Sequence, residues 1–114
     1  MQRIIELLYK IKENPICHVG KLDIERLYFL LSGYILAMNE FENVWQSDFT
    51  EQFQAFVAKK YNDKDTLNWC SIIQKHHSQD DTFNVFYELL DEFVEQLDQS
   101  FKLQIKDNKE VDNR

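Results

Sequence analysis

The scarcity of glycine and proline, 2 and 1 in 114 residues, limits what this chain can fold into more than any other feature. Tight turns between short strands need residues that accept a left-handed or a fixed backbone, and few are present. A sandwich or barrel of many strands is therefore excluded in favour of helices with brief connectors. The length suits one domain, large enough to bury a core without metals or disulfides. The expectation is an all-α, single-domain bundle of about five helices over residues 1–101, followed by a polar, frayed tail over 102–114.

Apolar residues recur at helical spacing along most of this length. Ile4, Ile5, Leu8 and Ile11 predict a first helix over Gln2 to Glu13, which Asn14 and Pro15 end. A second helix starts at Asp23, a natural N-cap, and carries Leu27, Leu31, Tyr34, Ile35 and Met38 inward. Phe29 and Leu30 widen its apolar face, which predicts a central position, with another helix packed closely at Gly33. Asp48 caps a third helix bearing Phe49, Phe53, Phe56 and Val57, and "YNDKD" makes a turn. Leu67, Trp69, Cys70, Ile72 and Ile73 form a short fourth helix. The fifth, Asp81 to Gln99, shows Phe83, Phe86, Tyr87, Leu90, Phe93, Val94 and Leu97 on one side. Leu31, Tyr34, Phe53, Trp69, Phe86, Leu90 and Phe93 are expected to meet in one core.

The formal charge of −7 repels nucleic acid and anionic lipid, and suits a basic protein partner. The longest apolar run, Leu27 to Met38, is too short for a bilayer, which needs roughly 20 residues. The first ten residues are amphipathic and unlike a signal peptide, so the chain reads as cytoplasmic, with Cys17 and Cys70 as reduced thiols. Cys17, His18, Cys70, His76 and His77 have the atoms for zinc but lack ligand spacing, and no cofactor or metal is expected. Cys70 reads as core, and the paired histidines as exposed at a helix end. Cys17 and His18 are neighbours in a turn, where a nucleophile and its base seldom meet; no G-x-S-x-G, phosphate loop or dinucleotide fingerprint occurs. An enzyme is not indicated.

One charge pattern stands out. Between Asp80 and Asp98 there are seven acids and no Lys or Arg. On a helical wheel Glu88, Asp91, Glu92, Glu95 and Asp98 share a sector away from the apolar stripe, although like charges at this spacing oppose each other. Tyr34 to Ala58 is also free of bases, with Glu40, Glu42 and Asp48 around Trp45. These nine residues are the candidate partner-binding surface. Val85 and Leu89 lie beside the acidic sector, either widening the core or adding an apolar contact.

The stretch "IKENPICHVGKLDIERLYFLLSGYILAM" resembles a group of small bacterial proteins with a helix, an R-P-x-M-Y-I-G-like turn, and a helix of pattern S-x-x-x-L-x-x-F-L-x-G-Y. The landmarks here are Asn14, Pro15, Val19, Gly20, Leu27, Leu30, Leu31, Gly33 and Tyr34, with Asn14 and Cys17-His18 replacing the Arg and Met-Tyr of that turn. "FQAFVAKKYND", "NWCSIIQ" and "DTFNVFYELLDEF" look like later landmarks of the same group, so the likeness spans about residues 8 to 95. The group is similar to immunity proteins of polymorphic and contact-dependent growth inhibition toxin systems. The resemblance implies a non-enzymatic antitoxin that occludes a cognate basic toxin of nuclease type; the free protein is expected to be a monomer. A helical adaptor or regulatory subunit without a toxin partner is the alternative.

Overall fold

In the computed structural model the proline that ends the first helix also begins the second. The structure describes residues 1–42, 48–65 and 67–112, and their side chains except at Glu42 and beyond position 99. Six helices are found among them: α1 (Gln2–Glu13), α2 (Pro15–Val19), α3 (Ile24–Glu42), α4 (Asp48–Lys60), α5 (Trp69–His76) and α6 (Thr82–Asp112). All regular structure among the described residues is helical, as expected.

Asn14 leaves α1 with φ −141° and ψ 63°, and Pro15 enters α2 in its first turn, where a missing N–H costs nothing. The stretch expected as a plain turn is thus a short helix, stopped in turn by Gly20 at φ +86°. Asp23 caps α3 as expected, its carboxylate accepting from the N–H groups of Glu25 and Arg26 at 2.8 and 3.2 Å. Asp48 opens α4 as its first residue, with Glu51 adding to the negative charge of that turn. At the other end Asn62 takes φ +50°, while Asp63 and Asn62 donate back to Ala58 and Lys59. This Schellman closure needs a residue tolerant of the left-handed region, and asparagine supplies it. Asn68 caps α5 through Ser71, which leaves Leu67 ahead of the helix and exposed, a correction to its expected place inside.

The core lies between α3, α4, α5 and α6, which pack on one another. Phe53 is its centre: its ring lies 5.2 Å from that of Phe49, 5.4 Å from Trp69 and Phe93, and 5.5 Å from Phe86. Leu31, Phe53, Trp69, Phe86, Leu90 and Phe93 are buried as expected, while Tyr34 is only partly buried against them. Val85 packs against this core and Leu89 is within it, so the two widen the core. From α1, Ile4, Leu8 and Ile11 complete it, and Tyr87 donates to the Leu8 carbonyl.

Two expectations need correction. The backbone of α6 stays helical to Asp112, well past the Gln99 expected as its end. At about 1.5 Å per residue its 31 residues span most of the 54 Å long axis. α3 is not surrounded: Phe29, Leu36 and Phe41 are 68, 69 and 83 % exposed, and a Cβ built on Gly33 would meet nothing within 4 Å. The described part of the chain buries one stripe of α3 and leaves the opposite apolar stripe uncovered.

Candidate interaction surface

The outer sector of α6 is set by its inner one. Phe83, Phe86, Leu90 and Phe93 are locked into the core, so the opposite side of the same rigid helix must face outward. Glu88, Asp91, Glu92, Glu95 and Asp98 are all exposed there. The structure gives them two kinds of surroundings. Asp91 accepts a 2.6 Å hydrogen bond from the Tyr9 hydroxyl of α1, and Glu92 pairs with Lys60 of α4 at 2.7 Å. Burial, followed by the Asp91 hydrogen bond, raises the Tyr9 pKa, so this phenol stays protonated as donor. The hydrogen bond that Lys60 donates to Glu92 likewise raises the pKa of Lys60. Both partners of that pair are about half exposed, so its contribution to stability is small.

Glu88, Glu95 and Asp98, by contrast, have no cation or hydrogen-bond donor among the described residues. Asp91 and Glu92 are thus seams between helices, and the other three form the open part of the acidic face. The wheel showed the sector but not this division, because Tyr9 and Lys60 are 82 and 32 positions away from their partners.

The second expected surface is only partly described. Glu40 is exposed near the end of α3 and Asp48 at the start of α4. The side chain of Glu42 and all of Trp45 lie outside the described residues. Sequence reasoning missed the exposed apolar side of α3, although the Gly33 mid-helix was its available signal.

His76 and His77 are tied rather than free. His76 Nε2 lies 3.2 Å from Asp63, His77 Nδ1 lies 2.8 Å from Asp80, and His77 Nε2 lies 2.6 Å from the Tyr61 hydroxyl. The His76 ring also stacks on Tyr61 at 4.8 Å. Asp63, its side chain 1 % exposed, further takes Lys75 at 3.3 Å and the N–H of Asp65 at 3.0 Å. These donors, the His76 contact foremost, hold its carboxyl below the usual aspartate range. The cluster fastens the α4–α5 connection to the start of α6. Among the described residues no group of three or more His, Cys, Asp or Glu is placed to hold a metal ion. Cys70 is buried, its thiol pushed up to about 12 chiefly by that burial, and Cys17 is exposed on α2.

Among the described residues no helix is long and apolar enough to cross a membrane. No family model, curated protein or solved structure matches the chain.

Proposed function

We propose that this chain is a non-catalytic binding protein that covers a basic protein partner with the acidic face of α6, and that it serves as a cytoplasmic immunity protein against a toxin of nuclease type. The observation that carries the reading is the row formed by Glu88, Glu95 and Asp98, exposed and without a described cation, on a helix whose other side is fixed in the core. Glu95 and Asp98, three positions apart, oppose one another, and a basic partner relieves that opposition. A rigid helix presents them with little ordering cost on binding. An enzyme that acts on nucleic acid carries a positive groove for the phosphates. A row of carboxylates complements that field, speeds encounter and blocks the groove by occupying it. The resemblance of the stretch around Asn14 to Tyr34 to immunity proteins supports the same reading. No bond is made or broken by this chain in such a mechanism.

The test begins with the reading frames beside this one and uses a basic toxin domain encoded there. A variant carrying Glu88→Lys, Glu95→Lys and Asp98→Lys should keep its helical spectrum and melting temperature, because none of the three touches the core or joins helices. It should lose binding and leave cells unprotected. Full protection by that variant, or a neighbourhood that encodes no basic toxin, would sink the reading. An adaptor or regulatory subunit is the second reading, favoured by the uncovered apolar side of α3.

A further inference from the structure

The outer side of α3 has a regular order about Gly33. Leu30 and Leu36 stand three positions before and after it, Phe29 and Ala37 four, and Arg26 and Glu40 seven. All these offsets return to the same side of a helix. Arg26, Phe29, Leu30, Gly33, Leu36 and Glu40 are exposed, and Ala37 is half-buried.

The geometry points to a second copy of this chain as the occupant of that surface, in a symmetric dimer whose two α3 helices cross antiparallel at Gly33. A two-fold axis through Gly33 brings each residue level with the one equally far on its other side and keeps each flank of one helix against the same flank of the other. On one flank Leu30 then meets the small Ala37 of the second copy, and on the other Phe29 meets Leu36. Arg26 meets Glu40, and each of these contacts occurs twice. The small Ala37 leaves room for a leucine and the cation faces an anion, so the order complements itself. Where the axes pass closest, Gly33 offers no side chain and nothing within 4 Å of its Cβ position, which lets the backbones approach. Arg26 spends Nη1 on the Val19 carbonyl at 3.2 Å, and the rest of its guanidinium is left for a carboxylate.

Area supports the same occupant. Phe29, Leu30, Leu36 and Phe41, 68, 39, 69 and 83 % exposed, leave open roughly 500 Å² of side chain, more than half of the about 800 Å² that each partner gives to a standard interface. Arg26, Glu40 and the backbone about Gly33 add to it. The stripe of α3 opposite to this surface carries Leu27 and Leu31 into the core shared with α6. The acidic sector of α6 is thus left open, and the dimer stands or falls independently of the proposed function. It replaces the monomer expected from the sequence.

Sedimentation equilibrium on the full chain, from micromolar to millimolar concentration, tests this. The expected species is a dimer. Gly33→Leu fills space that is empty in one copy and puts a better helix former there, so its helical spectrum should be unchanged while the dimer is lost. Arg26→Glu or Glu40→Arg alone should weaken the dimer tenfold or more, and the two together should restore it. In a Cys17→Ser background, Gly33→Cys should form a disulfide-linked dimer on mild oxidation, because only a residue on the axis meets itself; Leu36→Cys should not. A monomer at every concentration overturns the proposal and leaves the surface to another protein. A dimer indifferent to Gly33→Leu, or a charge exchange that fails to restore, overturns it as well.

Discussion

The hydroxyl of Tyr87 donates a 2.7 Å hydrogen bond to the main-chain carbonyl of Leu8, joining α6 to α1 across 79 positions of sequence. That carbonyl lies inside a helix and has a second lone pair for its own ladder. Removing the hydroxyl therefore strands no acceptor. Tyr87→Phe should cost only about 1 kcal/mol in urea unfolding, because the ring keeps its packing and its contact with Lys12, whose Nζ lies 5.5 Å from the ring centre. A loss above about 3 kcal/mol would show that the bond does more than join two helices.

Leu90 is fully buried on the inner stripe of α6. Truncation to Ala should cost about 2–5 kcal/mol, as for other leucines removed from packed cores. A cost below half a kcal/mol, roughly the level of a surface change, would mean that this stripe is not the buried one.

Much of this architecture is legible in the sequence because helical periodicity reports burial directly. α1 has the expected bounds, and the buried positions of α6 follow the expected stripe. Periodicity says which residues are apolar but not what covers them. Phe29 and Leu30 therefore looked internal, and Gly33 looked like a site of close packing within the chain. The acidic sector was legible for the same reason as the core stripe. Its division into Asp91 and Glu92 on one hand and Glu88, Glu95 and Asp98 on the other depends on Tyr9 and Lys60, which only the tertiary fold brings near.

Gly20 is the position where a side chain is least tolerable. At φ +86° an added Cβ would also meet Arg26 Nη1 at 2.8 Å. Gly20→Ala should lower stability by about 1–2 kcal/mol, the cost of holding an L residue in the left-handed region. Calorimetry checks this: an unchanged melting temperature would mean that α2 ends differently in solution.

Asp63 gives a pH dependence with a definite sign. Its folded pKa lies below its ordinary value, so its contribution is complete above the unfolded aspartate pKa, about 3.9. It is lost as pH falls through the lower folded value. Asp63→Asn should therefore be less stable than the parent at pH 6, and the gap should narrow towards pH 3. An equal gap at both pH values in urea titrations would show that the charge of Asp63 is not what the cluster uses.

The thiols should separate by reactivity. In native protein at pH 8 Cys17 should react quickly with a thiol reagent, while Cys70, 3 % exposed, should react only after denaturant opens the core. Two fast thiols in the native state would contradict the burial of α5.

The central place of α6 also sets an order of events during synthesis. Phe86 and Phe93, which close around Phe53, emerge after every residue of the five preceding helices. Until they emerge, the aromatic surfaces of Phe53 and Trp69 lack their cover, and such surfaces draw chains into aggregates. The growing chain thus passes through an adhesive interval that ends only when its longest helix folds back on it, and any slowing of translation before Thr82 lengthens that interval.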